Sequence, residues 1–484
     1  MAAAPLIATL SAKKLQIDNR KPSACAQSGP GAPPVATASA ATSGAATSPP
    51  SQPIPDLRCL NGLRVVSCLT VILFHCWMGL WQGLLPYEVT APLTRHHWFV
   101  RLAAAGGPLG VDFFLITTAM LAAHQLIPQL EGSSAHASPH RPSAAAVVLR
   151  YWRKRAARLL PAYAAANLLV LVALGPRKGL APEQAVARDF AFAQCPAGLW
   201  RNALFLTNWD FTQGCALHLW SLALQVQFYV LFPLLLCALR PRAPGFRARL
   251  AAALAAAFAG GTAWRLRQAF AAPALRVPYG DAVRQPSELE ASGSLLTAAY
   301  FPSGTRVAEL ALGSALGLLL RSPAAVSWLL RRRALLAAAS LGLQAAFAHT
   351  VLAWAPHALL GEAAWSPLTA RLYSALLYWG SPLVTGTVAA TLLALFLHSD
   401  PLHAALASAL RSRLFDRLSE LSYSLYLLHE QARLWAILFL VPAGLLPAVL
   451  AAAPVGGLVL LGLLTLGATL PCAYLLHSLV ERRF

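Results

Sequence analysis

Apolar runs of about 20 residues recur along most of this chain, and a run of that length crosses a bilayer as one helix. We count ten, near residues 63–85, 104–126, 159–175, 217–239, 250–264, 306–320, 334–354, 371–397, 418–441 and 446–477. Charged residues make up only 12% of the 484 residues, about half the share that is usual in soluble domains. The sequence therefore predicts an all-α, polytopic integral membrane helix bundle of about ten transmembrane helices, surrounded by membrane lipids.

The basic residues support this count and give the predicted helices a direction. The formal net charge is +20, which on its own could indicate a nucleic acid partner. Most of the basic residues, however, fall in every second connection between the apolar runs, as they do in cytosolic loops. We therefore expect no nucleic acid partner. We expect both termini to be cytosolic, in an endomembrane or the plasma membrane.

Residues 1–55 differ from the rest of the chain in composition. They are rich in Ala, Ser, Pro, Gly and Thr and show no apolar period. Such a segment cannot bury enough surface to offset the entropy of ordering it. The sequence predicts a disordered tail at 1–55, followed by a membrane domain at 56–484. A transit peptide is the alternative for the tail, because Asp18 is its single acid before residue 40.

The first apolar run carries two ionisable side chains on one helix face. Arg64 and His75 are eleven steps apart, which returns the helix to within about 20° of the same direction, about 16 Å along its axis. Ionisable residues inside a membrane are costly and usually mark a functional pathway. Neutral histidine accepts protons, so His75 is a candidate general base. A histidine that merely bonds two core helices together is the alternative.

Other apolar runs carry polar side chains to the depth of His75. Asp112 in the second run lies at a matching depth, so we expect its carboxylate to orient the His75 ring. The fourth and ninth runs contribute a supporting polar shell: Trp220, Gln225, Tyr229, Tyr423 and His429. Convergence of four runs favours a site over a purely structural hydrogen-bond network, which stays the alternative.

Two arginines precede the third run. Arg155 and Arg158 are three residues apart and face one way on a helix. Guanidinium pairs suit phosphate groups, because they are always charged and bind in a bidentate manner. Composition alone fits equally well with arginines that anchor the helix end among lipid head groups.

The cysteines divide between the two sides of the predicted membrane. Cys195 and Cys215 share one outer loop, where a disulfide would close about 20 residues and stabilise the fold by about 3 kcal/mol. Two free thiols are the alternative. Zinc-type cysteine pairs and nucleotide-binding glycine loops are absent from the sequence, so we expect no metal and no bound cofactor.

Taken in order, these motifs resemble membrane acyltransferase family 3. The early ones are Arg64 and His75 with ten residues between them, "GVDFFL" around Asp112, and the pair Arg155 and Arg158. The later ones are "LHLWSLALQVQFYVLFP", "RVAELALGSALG", "LSYSLYLLH" and the final "ERRF". The resemblance covers residues 58–484 and leans towards the eukaryotic members that are similar to the nose-resistant-to-fluoxetine protein.

The chain also departs from the family pattern. Thr118-Ala119 replaces the usual Ser-Gly after the second motif, and Gln225 stands where bacterial members have a glutamate. Arg483 replaces the proline of the usual ending. The first two differences concern the details of catalysis and leave the expected fold unchanged.

The resemblance implies transfer of an acyl group, often acetyl, from acyl-CoA as co-substrate on the cytosolic side. The acceptor would be a hydroxyl of a carbohydrate or a lipid on the other face. Arg64 and His75 would then be catalytic, with His75 either a general base or a covalent acyl carrier, and Arg155 and Arg158 would bind the acyl-CoA. The rival class is a lipid or small-molecule transporter that uses the same polar level without chemistry.

Overall fold

The computed structural model describes residues 57–79, 93, 96–132, 142–173, 195, 197–209, 215–271, 300–349, 381–437 and 445–483. Within these ranges the chain forms helices and turns and no strand, which confirms the predicted all-α class for the part described. The predicted tail at 1–55 lies outside the described residues, as do the ends of several predicted apolar runs.

The helices follow one another closely along the described part of the chain. A short 3-10 helix, Leu217–Leu219, leads into α5, and another, Glu481–Arg483, follows α14. The α-helices are α1 (Cys59–Gly79), α2 (Trp98–Glu131), α3 (Ala144–Ala173), α4 (Leu199–Ala203), α5 (Trp220–Ala238), α6 (Phe246–Ala271), α7 (Ser303–Leu319), α8 (Pro323–Arg331), α9 (Arg333–His349), α10 (Pro382–Leu397), α11 (Pro401–Leu410), α12 (Arg413–Trp435), α13 (Leu445–Ala452) and α14 (Pro454–Leu479).

Fewer of these helices could span a membrane than the ten that the sequence predicted. In the described part, four are long and apolar enough: Cys59–Gly79, Trp98–Glu131, Leu217–Ala238 and Pro454–Arg483. The helix pairs α7–α8 and α10–α11 bend by 94° and 86°, and counting each pair as one span gives six. The described parts of the other predicted runs are helical too, but α3, α6, α9 and α12 fall short in length, hydropathy or freedom from charge. The predicted count of ten is therefore supported only in part.

Glycines bring α1 and α7 very close to α2, on opposite sides of it. A Cβ at Gly110 of α2 would lie 2.7 Å from the backbone oxygen of Ser67 in α1. A Cβ at Gly313 of α7 would lie 2.3 Å from the backbone oxygen of Ile116 in α2. Small residues allow such backbone contact between membrane helices, where dispersion forces replace the hydrophobic effect. The glycines therefore fix α1, α2 and α7 side by side.

An ion cluster also ties α2 to α7. Arg306 of α7 donates to Asp112 of α2 at 2.7 Å and to Glu309, one turn along its own helix, at 2.6 Å. All three side chains are fully buried. The Arg306 guanidinium also lies 4.6 Å from the ring centre of Tyr300 and 5.5 Å from that of Trp220, as in cation–π contacts. A buried charge is tolerated only when paired in this way.

The helix α12 packs against both α1 and α14. Its second half is almost wholly buried although it is polar, and it carries His429, Glu430 and Arg433 into the interior. This burial brings titratable groups of α12 against the last turns of α1.

Cys195 and Cys215 form a disulfide with their Cα atoms 5.0 Å apart. The bond closes a loop of 20 residues, and Asn202 donates to the backbone oxygen of Cys215 at 2.6 Å. Cys68, Cys76, Cys237 and Cys472 are not part of a disulfide. The bond therefore ties Cys195 to the segment just before α5, next to the histidine of the 3-10 helix.

We expect the double variant Cys195→Ser and Cys215→Ser to lose about 3 kcal/mol of unfolding free energy, because a loop of this length stays open in its unfolded chain. Thermal unfolding in detergent measures the loss, with Cys237→Ser, a free half-buried thiol, as the matched control. Alkylation of both wild-type thiols without a reductant would contradict the bond.

Candidate active site

Three histidines from three different segments meet inside the bundle, and we call them the histidine cluster: His75 of α1, His218 of the 3-10 helix before α5, and His429 of α12. The Nε2 atom of His429 lies 3.1 Å from Nδ1 of His75. The His218 ring centre lies 5.0 Å from that of His429 and 6.4 Å from that of His75. Residues far apart in the chain thus form one polar centre.

Backbone carbonyls fix the tautomers of the two histidines in contact. The Nδ1 atom of His75 lies 2.8 Å from the oxygen of Val71, and Nδ1 of His429 lies 2.8 Å from the oxygen of Tyr426. A carbonyl oxygen can only accept, so each Nδ1 carries a hydrogen. In the neutral rings the lone pairs are therefore on Nε2. The Nδ1 hydrogen of His75 lies between two acceptors, Val71 and His429.

A carboxylate faces the lone pair of His75. Oε1 of Glu430 lies 3.5 Å from Nε2 of His75, while its Oε2 accepts from Arg433 at 2.8 Å and 3.0 Å. The His75 side chain is 18% exposed and that of Glu430 is 8% exposed. A negative charge in this position stabilises a proton taken up on Nε2. The pair can therefore act as a base in a partly open site.

Hydroxyl groups brace the third histidine. The Tyr426 hydroxyl lies 2.7 Å from the hydroxyl of Ser221 and donates to the backbone oxygen of His218 at 2.7 Å. The His218 ring itself places Nε2 3.2 Å from the backbone oxygen of Leu427. These bonds join α5 to α12 directly behind the histidine cluster.

The predicted pairing of Asp112 with His75 does not form. Asp112 binds Arg306, and the carboxylate beside His75 is Glu430. The depth of Asp112 was predicted, but its direction around α2 was not. Gly110 faces α1, and a residue two positions later points about 200° away from it, towards α7. An arginine there binds a carboxylate far more strongly than a neutral imidazole does.

The predicted polar shell is only partly assembled around His75. His429 belongs to the histidine cluster, whereas the others bind elsewhere. Trp220 packs over the buried arginine of α7, Gln225 accepts from Thr118 at 3.4 Å, and the Tyr423 hydroxyl donates to a backbone oxygen of α3 at 2.9 Å. Three of the five thus hold α2, α3, α7 and α12 around the cluster without contacting it.

Three arginines gather near the start of α1. Arg64 lies within electrostatic range of Arg158 and Arg155 of α3, which oppose its charge. None of the three forms an ion pair with a carboxylate in the described ranges of the chain. Like charges that lie together without a counter-ion favour binding of an anion. We call these residues the arginine triplet.

Tyr229, the remaining member of the predicted shell, holds one arginine of the triplet. The Arg155 guanidinium lies 5.0 Å from the ring centre of Tyr229 and 5.1 Å from that of Tyr151. It also donates to the Gln125 side chain of α2 at 3.3 Å. Two aromatic faces and a hydrogen bond orient this side chain, whereas Arg158 is exposed.

Glu430 and His218 are site residues that the sequence analysis did not select. Each is an ionisable group inside or beside an apolar run, which is the signal that identified His75. Glu430 follows His429 directly, and neighbours on a helix point about 100° apart, so both can border α1. That rule could have found both residues.

Comparison with models of known protein families identifies a family that this chain matches. The family model for acyltransferase family 3, described as an acyltransferase domain, matches residues 57–477. No curated protein and no solved structure matches the chain. The matched range contains both the histidine cluster and the arginine triplet.

Proposed function

We propose, from the premise that this chain belongs to acyltransferase family 3, that it moves an acyl group from acyl-CoA on the cytosolic side to a hydroxyl of a carbohydrate or lipid acceptor. The family and the long apolar helices make it an integral membrane protein with an acyltransferase domain. The observation that carries the proposal is the pair His75 and Glu430 towards one end of α1, with the arginine triplet towards the other.

The arginine triplet supports the choice of acyl-CoA as donor. Three guanidinium groups repel one another, and the phosphates of CoA would neutralise them with bidentate, charge-assisted bonds. Arg64 and His75 share one face of α1, about 16 Å apart along its axis. The pantetheine arm of CoA extends over a distance of this order. The thioester would therefore reach His75 while the phosphates stay with the arginines.

The chemistry follows from the tautomer of His75. Its Nε2 takes the proton of the acceptor hydroxyl while that oxygen attacks the thioester carbonyl. The carbon–sulfur bond breaks, and the CoA thiolate leaves with the proton that the imidazolium returns. Glu430 stabilises the imidazolium in between. A covalent acyl-histidine would use the same Nε2 atom and is the alternative to the general base.

We propose that both termini are cytosolic, because the basic loops of the sequence follow that arrangement. This direction puts the arginine triplet at the face where acyl-CoA is made available and leaves the histidine cluster nearer the other face. Labelling of intact vesicles that found the C-terminus on the outer side would contradict it.

Thioester cleavage by the purified full-length protein tests the proposed function. Acetyl-CoA and a long-chain acyl-CoA are each supplied with a membrane lipid extract, and the released CoA thiol is measured while mass spectrometry finds the acylated product. We expect release above the background hydrolysis of the thioester. If the protein binds acyl-CoA but cleaves it with none of the acceptors supplied, the result favours the transporter or binding protein instead.

The double variant Arg155→Gln and Arg158→Gln is expected to raise the KM for acyl-CoA about tenfold or more, with a smaller fall in kcat, because the lost contacts bind the donor away from the reacting atoms. The matched control is Arg153→Gln with Lys154→Gln, two exposed cations on the same helix turn. An unchanged KM in a double variant that still inserts would leave Arg155 and Arg158 as anchors of the helix end.

A further inference from the structure

We propose that His75 and His429 of the histidine cluster, together with Glu430 beside them, bind one divalent transition metal ion, with Zn²⁺ the expected ion. One ligand atom from each of these residues lies within 4.8 Å of the other two. Two imidazoles and one carboxylate are a known donor set of mononuclear zinc sites. Imidazole ligands select against Mg²⁺ and Ca²⁺, which prefer oxygen. The sequence predicted no metal, because these ligands come from helices 354 residues apart in the chain.

The hydrogen bonds of the two rings already suit metal binding. Histidines that bind metals usually donate the hydrogen of their other ring nitrogen to a carboxylate or a backbone carbonyl, which fixes the ring. Nδ1 of His75 does so to Val71, and Nδ1 of His429 does so to Tyr426. Both Nε2 lone pairs therefore exist in the neutral rings, and binding requires neither ring to lose a proton.

The contact between His75 and Glu430 calls for a positive species between them. In the neutral ring, Nε2 and Oε1 are both acceptors, yet they face each other at 3.5 Å. A proton satisfies the pair, and so does a metal ion. With zinc–nitrogen bonds of about 2.0–2.1 Å, two ligands of a tetrahedral ion lie roughly 3.4 Å apart. To complete the site, His429 has to shift towards this gap, and its Nε2 then gives up the contact with Nδ1 of His75.

The residues around the site affect how tightly it binds the ion and how far it is exposed. Arg433 binds the other carboxylate oxygen of Glu430 and places a positive charge beside the ion. This charge opposes the metal, so we expect micromolar rather than nanomolar affinity. The His75 side chain is 18% exposed, and three protein ligands leave the fourth position of a tetrahedral ion for water.

The consequence for activity rests on the proposed function, whereas the binding does not. The metal would occupy the Nε2 lone pair that takes the proton of the acceptor hydroxyl. Zinc and the reaction therefore compete for one atom. We expect zinc to inhibit acyl transfer reversibly, with full recovery after chelation.

Metal binding to untagged full-length protein tests the proposal without any assay of activity. Zn²⁺ is titrated against a chromophoric chelator, and Co²⁺ is used as a spectroscopic probe of the same site. We expect one ion per chain at micromolar concentration, and a visible Co²⁺ spectrum of the intense, four-coordinate type. Absence of such a spectrum from the folded wild-type protein would overturn the proposal.

Variants connect the ion to these residues. We expect His429→Ala and Glu430→Gln each to weaken Zn²⁺ binding at least tenfold, while His349→Ala, an exposed histidine at the end of α9, leaves it unchanged. Equal affinity in the wild type and in both site variants would place the ion elsewhere and overturn the assignment. Stimulation of acyl transfer by zinc would overturn the inhibitory role. Inactive wild-type protein that still binds one Co²⁺ as described would contradict the proposed function and leave the metal site standing.

Discussion

Replacing His75 with alanine should abolish acyl transfer, with kcat falling by the 10² to 10⁴ that loss of a general base commonly costs. The variant keeps the arginine triplet, which we propose binds acyl-CoA, so the Kd for acyl-CoA should stay near its wild-type value. Its acceptor hydroxyl, however, has no group to take the proton. CoA thiol release and equilibrium binding of a non-hydrolysable acyl-CoA analogue measure the two effects separately.

Two further variants give this prediction its controls. His349→Ala removes an exposed histidine and should leave turnover unchanged. Glu430→Gln keeps a side chain of similar size beside the ring but removes the charge that stabilises the imidazolium, and should give an intermediate rate. Near-normal transfer by His75→Ala would refute His75 as the general base.

Replacing Arg306 with leucine should destabilise the fold by about 3–5 kcal/mol, because two buried carboxylates then lose the guanidinium that binds both of them. Asp112 and Glu309 are fully buried and both bind this guanidinium. Since α7 and α2 meet there, we expect lower yield and a lower melting temperature in detergent.

The matched control removes the whole cluster. The triple variant Arg306→Leu, Asp112→Asn and Glu309→Gln leaves no buried charge of the three, and should recover much of the lost stability. A conservative change, Arg306→Lys, should be worse than the triple variant, since one ammonium cannot bind two carboxylates as a guanidinium does. Wild-type melting of Arg306→Leu would show that the cluster does not hold α2 to α7.

The sequence predicted the fold class, because apolar runs and basic connections report directly on the bilayer. The count of ten spans is supported only in part, since within the described residues the buried half of α12 is polar and the apolar α7–α8 and α10–α11 are sharply bent. The hydropathy of a helix shows whether its surface is apolar enough to face lipid. It does not say whether a polar helix is covered by neighbours, as α12 is by α1 and α14.

The sequence placed His75 and His429 in one site but did not give the direction in which Asp112 points. The two histidines do meet. Depth follows from counting residues at a fixed rise, but direction around a helix depends on which face packs against which neighbour. For α2 that information was present in the glycine spacing. Gly110 marks the face towards α1, and Asp112 is on the other.

The close approach at Gly110 and Gly313 bears on how the protein can move. Backbones in such contact cannot slide or roll without collision, so α1, α2 and α7 behave as one mechanical unit. A transport cycle that rocked α1 against α2 would have to break this contact at every turn. A fixed scaffold instead suits a reaction in which two substrates enter from opposite faces and exchange a small group at a stationary point. Any gate must then lie in helices outside this unit.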